Sequence, residues 1–242
     1  MNLLFLQLIV GSLVGLGAGY VGSFMILKKM SLVGDALSHV ALPGIAIALI
    51  FNINPFIGAF LALFIAILAI WALETRTELP SETLVGILFT SALAIGLLIT
   101  PEPELLEALF GDISKVSNSD LWLTLILIVI IIFTMFRIKR PLMLSILSKD
   151  LSRSMSIKID RVNFLFLALV SIIVALGLKV VGTLLMGSMV IIPAAAAKNI
   201  SGDLKAGMEK ALIAGPVAIL SLSFFAAGRE GVETALLMVG YA

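Results

Sequence analysis

The sequence predicts an all-α, polytopic membrane protein with about seven or eight transmembrane helices, forming a single transmembrane domain over residues 1–242. Three observations lead there. Apolar residues make up 61% of the chain and charged residues only 13%, the mean hydropathy is +1.20, and the apolar residues gather in long runs. A bilayer-crossing helix needs about 20 mostly apolar residues, and such runs fall at about 3–27, 33–50, 55–73, 83–100, 120–136, 162–178, 180–197 and 208–227. The chain has no cysteine, which excludes disulfides, thiolate metal sites and thiol chemistry.

The first run follows Met1-Asn2 with no basic segment before it and continues to Leu27. It reads as a retained span and not as a cleaved signal peptide. Gly11, Gly15 and Gly19 recur within it at intervals of four, a ladder that lets helix backbones approach closely and that favours packing inside the chain over a dimer seam.

The second run carries the chemistry. Asp35 and His39, the latter the only histidine, lie one turn apart on one helix face inside an apolar stretch. Such groups in a membrane cost several kcal/mol unless they pair, face a water-filled path or hold an ion. Carboxylate oxygen with neutral imidazole nitrogen suits Zn, Mn or Fe. The plainer alternative makes Asp35 a capping residue and His39 its satisfied partner. Pro43, four residues on, removes the helical donor for one carbonyl and is expected to kink the helix beside the pair.

Basic residues set the orientation. With the loop after Met135 on the cytoplasmic side, Lys28, Lys29, Arg76, Arg137, Lys139, Arg140, Lys149, Arg153, Lys158, Arg161, Lys198, Lys205 and Lys210 lie inside, and only Lys115, Lys179 and Arg229 outside. Thirteen of the sixteen basic residues then share one side, which the positive-inside rule requires, and the N-terminus is external. The external segment 101–120 holds five acids against one lysine. It reads as a solvated face, or as a surface that attracts cations or meets a partner.

Residues 137–161 form the largest cytoplasmic loop. There Ser148 or Asp150 can cap a short helix that shows Leu151 and Met155 at i, i+4, an apolar stripe with basic flanks suited to a cytosolic partner or to the membrane surface. Further on, residues 179–197 make a small-residue helix interrupted by proline, which suits tight packing or a path close to the backbone. The C-terminal tail, 224–242, is atypical: Glu230 and Glu233 lie three apart beside Arg229, and the apolar run after them is about half the length of a span.

Together these residues resemble the membrane permease family of ATP-driven importers for zinc, manganese and iron. The resemblance rests on Met30-Ser31-Leu32-Val33-Gly34-Asp35-Ala36-Leu37-Ser38-His39 with Leu42-Pro43-Gly44, on Gly86-Ile87-Leu88-Phe89, on Leu109-Phe110-Gly111-Asp112-Ile113 with Ser117-Asn118-Ser119-Asp120-Leu121-Trp122, and on residues 181–197. It covers about residues 8–212. It implies that Asp35 and His39 are transient ligands of a transported Zn, Mn or Fe ion, with no permanently bound cofactor. It also implies a second permease copy, cytosolic ATP-binding subunits and an external metal-binding protein as partners, in the cell's inner (cytoplasmic) membrane. Ser148, Asp150, Leu151, Met155 and Ile157 fall where that family docks its ATPase, although serines replace the alanines and glycine usual there. The tail departs from this pattern: Arg229-Glu230-Gly231-Val232-Glu233 resembles the motif of oxidase-coupled iron permeases, which would make Glu230 and Glu233 a second metal site in an ATP-independent carrier.

Other classes fit poorly. The chain has no G-x-x-x-x-G-K-[ST], so it is not expected to hydrolyse ATP itself and is not an enzyme. It has no His-Glu-x-x-His and no Gly-x-Ser-x-Gly for an intramembrane hydrolase, and nothing suggests nucleic acid as a partner. A pure scaffold has little reason to bury Asp35 and His39 in a span.

Overall fold

The computed structural model describes residues 3–77, 79, 81–99, 109, 117–148, 152, 154–155, 157–201 and 206–217. Those residues build helices and their connections. In order they are α1 (Leu3–Leu27), α2 (Ser31–Ile50), α3 (Pro55–Arg76), α4 (Ser81–Ile99), α5 (Asn118–Leu147) and α6 (Ile159–Ile200), followed by a short helix over 206–217, here α7.

Local chemistry sets the ends of these helices. Between α1 and α2 the chain reverses within three residues, with Lys29 in the left-handed region at φ 59. Asn52, at φ 53, ends α2 in the same way. The Asn54 side chain then accepts a hydrogen bond from the Phe56 N–H at 2.9 Å, and Pro55 opens α3 at a position where no N–H is missed. At the start of α5 the Asp120 carboxylate accepts from both the backbone N–H and the hydroxyl of Ser117, each at 2.7 Å.

Toward the seven or eight spans expected, five helices among the described residues have the length and apolarity to cross a membrane: Leu6–Leu27, Ser31–Ile50, Pro55–Glu74, Asn118–Leu147 and Ile159–Thr183. Thr83–Ile99 and Leu185–Ile200 are apolar but shorter, the second because α6 breaks just before it. The loop proposed from residue 137 is also mostly helix. Arg137, Lys139 and Arg140 end the apolar run, but they are good helix formers, and α5 continues through them and Pro141 to Leu147.

α2 runs on through Pro43 as one helix to Ile50. The break is in α6, where Gly182 adopts φ 72, ψ 178, a region essentially reserved for glycine. Two arms result, 159–181 and 183–200. A Cβ on Gly177 would overlap the Met186 sulfur, nine residues away, which a continuous helix would place about 13 Å off, so the second arm folds back along the first.

α2 packs against α3, α4 and α6, and α6 in turn against α1, α3 and α5. Gly44 of α2 faces Gly58 of α3 so closely that a Cβ on either would strike the other's backbone. Gly96 of α4 sits over Leu42 and Pro43, which hold the proline segment from a third side. On α1, Gly15 and Gly19 pack against Gly215 and Ala211 of α7, and Gly22 against Val190 of the second arm. The glycine ladder is therefore used for packing within the chain. The apolar side chains left exposed, such as Ile57, Leu61 and Ile65 on α3 and Trp122, Ile126, Val129 and Phe133 on α5, follow helical spacing and form the lipid-facing surface of a multi-pass membrane protein.

Candidate functional site

His39 is buried at 9% exposure in the middle of α2, and its Nδ1 has no hydrogen-bond partner. The ring meets Phe89 of α4 edge to face, with centroids 5.3 Å apart. Because Pro43 has no N–H, the His39 backbone carbonyl also lacks its helical donor. One turn earlier Asp35 is half-buried. It is flanked by the second arm of α6 at Gly187, where an added Cβ would lie 2.5 Å from the Asp35 Cα and 2.7 Å from Oδ1.

Between the two stands Ser38, fully buried. Its hydroxyl lies 2.7 Å from the Asp35 carbonyl in its own helix and 2.9 Å from the carbonyl of Thr183 on the second arm. A broken helix is thereby pinned to α2 next to the Asp35/His39 pair. Thr183 is itself fully buried, and its hydroxyl has no partner. Reading the sequence singled out residues 179–197 for small residues and proline but missed Ser38, Thr183 and the Gly182 break. The available signal was Gly182-Thr183, a glycine preceding a polar residue inside an apolar run.

Chemically the site offers a carboxylate, an imidazole nitrogen, a freed carbonyl and hydroxyls, in surroundings that are otherwise apolar. Among the described residues no three His, Cys, Asp or Glu side chains gather to hold a metal ion.

The family described as the ABC 3 transport family matches residues 1–238. The chain belongs to that family. Its match runs on past the motifs quoted above, through most of the 224–242 tail. Among curated relatives, the manganese import system permease protein ScaB of Streptococcus parasanguinis is 36% identical over 199 residues, 80% of this chain and 71% of that one. The high-affinity zinc uptake system membrane protein ZnuB of Haemophilus influenzae is 33% identical over 204 residues, 82% of this chain and 78% of the relative. Among solved structures, PsaBC from Streptococcus pneumoniae in complex with Fab superposes with a TM-score of 0.77 at 30% identity, covering 90% of this chain and 80% of that one. The chain is thus a permease subunit of the ABC transporter family, and its relatives ScaB and ZnuB are named for manganese and zinc import.

The other candidate residues fall differently. Ser148 caps the C-terminus of α5 by donating its backbone N–H to the Leu144 carbonyl, and its own carbonyl accepts from the N–H and the hydroxyl of Ser152. Met155 is 58% exposed, and Ile157 is half-buried against the core. Asp150, Leu151, Glu230 and Glu233 lie outside the described residues.

Two further polar clusters belong to the frame around this site. Lys179, near the end of the first arm of α6, pairs with Asp120 of α5 at 2.6 Å. Both belong to the side that the charge rule makes external. At the other end Lys28 donates to the Asn163 side-chain carbonyl at 2.8 Å and lies over the Phe166 ring, 5.1 Å from its centre.

Proposed function

We propose that this chain is the membrane-spanning permease subunit of an ATP-driven importer of a divalent transition metal, drawn from Zn, Mn and Fe. The observation that carries the reading is the buried His39 Nδ1 without a partner, one turn from the half-buried Asp35 carboxylate, in a largely buried helix of the bundle. A satisfied structural histidine would spend that nitrogen on a protein group. This one keeps it for cargo.

In this reading the ion leaves an external metal-binding protein and is held for a moment by Asp35 and His39, with the carbonyl freed by Pro43 beside them. A second permease copy completes the pathway. Cytosolic ATP-binding subunits engage the 148–157 region, where Met155 presents an apolar surface, and ATP is hydrolysed there and not in this chain. The complex sits in the cytoplasmic membrane. ScaB is named for manganese and ZnuB for zinc, so the family admits either metal.

The test is metal accumulation in cells stripped of their own importers, expressing this chain with its candidate ATPase and binding protein. Uptake should require ATP hydrolysis. Asp35→Ala and His39→Ala should each reduce it below about a tenth of wild type, as expected when a positioned ligand is lost, with the permease still inserted. Full uptake by both variants would sink the assignment.

A further inference from the structure

Thr183 is a buried polar residue to which the bundle gives no internal task. Serines in this bundle usually quiet their hydroxyls on a carbonyl three or four residues back, as Ser23 does on Gly19, Ser171 on Ala168 and Ser188 on Leu185. For Thr183 those carbonyls belong to Lys179 and Val180, and the Gly182 break lies between. With φ 72, ψ 178 at Gly182 the backbone leaves the helical path just before Thr183, and the ordinary acceptor is lost. Its side chain is completely enclosed, and Oγ1 has no partner. Leaving a buried hydroxyl unpaired is destabilising.

The position of that hydroxyl gives it a use. The Thr183 carbonyl is held by the Ser38 hydroxyl, and four residues later Gly187 rests on Asp35. The second arm therefore runs along the strip of α2 that carries Ser38 and Asp35, with Thr183 at its start beside the residue that precedes His39. The two buried side-chain atoms without partners among the described residues, His39 Nδ1 and Thr183 Oγ1, flank this one crossing.

We infer that the Thr183 hydroxyl is an oxygen donor to the transported ion, directly or through a water on it, and that it biases the site toward manganese(II) over zinc(II). The inference rests on the proposed metal path through Asp35 and His39 and adds to it a residue on a different helix. Hydroxyl, carbonyl and carboxylate oxygens suit manganese, whereas zinc gains most from nitrogen and sulfur ligands. With no third His, Cys, Asp or Glu gathered at the pair, an oxygen from the broken helix shifts the donor set toward the harder ion.

The experiment measures uptake of manganese(II) and of zinc(II), each supplied alone, by the complete transporter in importer-deficient cells, with the membrane level of the permease followed alongside. Thr183→Val keeps the branched shape and removes the hydroxyl. It should lower manganese uptake about tenfold while zinc uptake changes less than about twofold, and Thr183→Ser should restore manganese uptake. A manganese-to-zinc ratio unchanged in Thr183→Val overturns the inference, whether both rates hold or both fall together as they would from a packing defect. His39→Ala separates this result from the reading beneath it. Loss of both metals in His39→Ala with an unchanged ratio in Thr183→Val removes the threonine alone, and full uptake in His39→Ala removes both.

Discussion

Two polar clusters lie on either side of the same bend, and they are built in opposite ways. On the near side, Lys179 meets Asp120 at 2.6 Å, and the same carboxylate gathers the N–H and hydroxyl of Ser117 at 2.7 Å each. Each of these groups has its partner within the chain, and together they tie the start of α5 to the end of the first arm. On the far side, past Gly182, the Thr183 hydroxyl and the His39 Nδ1 are buried without one. A fold can use a satisfied cluster simply to fix its own geometry. An unsatisfied one costs stability continuously, and the proposed function would supply its partner from outside, as the cargo.

The sharpest way to break this contrast is at Gly187. An alanine Cβ there would lie 2.5 Å from the Asp35 Cα, 2.6 Å from its Cβ and 2.7 Å from Oδ1, and no flexible side-chain end is present to yield. Either the second arm or Asp35 has to move. Gly187→Ala should cost about 1–3 kcal/mol in stability and reduce metal uptake below about a tenth, because a ligand displaced by an ångström loses its geometry. Gly86→Ala is the matched control, since a Cβ there meets nothing within 4 Å, and its uptake should equal wild type. Normal transport by Gly187→Ala would show that the close approach of the broken helix to Asp35 is dispensable.

The contrast also explains what the sequence disclosed and what it hid. Run lengths located most helices to within a few residues, and 3–27 coincides with α1 as observed. Apolarity is a property of the chain itself, which is why it reads so directly. It failed at the end of α5, where Arg137 to Arg140 mark the end of an apolar run but not of a helix. The runs 162–178 and 180–197 do match the two arms of α6, although the bend between them depends on a glycine dihedral that no hydropathy profile contains. Asp35 and His39 were legible because charge inside an apolar run is conspicuous. Ser38 and Thr183 were not, because a hydroxyl in a membrane helix normally bonds its own backbone. Only the fold reveals that Ser38 also bridges to the second arm and that the Thr183 hydroxyl bonds nothing.

Lys28 supplies an intermediate case, a partnered charge that is half-buried. Burial pushes its amine down to about 8 from the ordinary 10.5, with the Glu74 carboxylate opposing part of the shift. Below about pH 8 the amine is charged in both the folded and the unfolded chain, and the full cost of enclosing it is felt. Between about 8 and 10.5 the folded chain has released the proton and the unfolded chain has not, so stability rises with pH across that window. Relative to Lys28→Gln, the wild-type protein in detergent should gain about 2 kcal/mol between pH 8 and pH 10, read from thermal unfolding. Overlapping pH profiles would mean that the amine reaches water despite Asn163 and Phe166.

The smallest expected effect tests the paired cluster itself. The Lys179 and Asp120 side chains are 37% and 21% exposed, so their ion pair is screened and worth no more than about 1 kcal/mol. Lys179→Met leaves Asp120 still accepting both hydrogen bonds from Ser117, and the start of α5 keeps its cap. Thermal stability should therefore fall by less than about 1 kcal/mol, and metal uptake should stay close to wild type. The opposite result is the more instructive one. If Lys179→Met abolished uptake while stability held, the tether would be part of the transport cycle, setting the position of the first arm and through Gly182 that of Thr183. Satisfaction of polar groups would then no longer separate frame from site in this protein, because a fully paired cluster would be acting at a distance of four residues on an unpaired one.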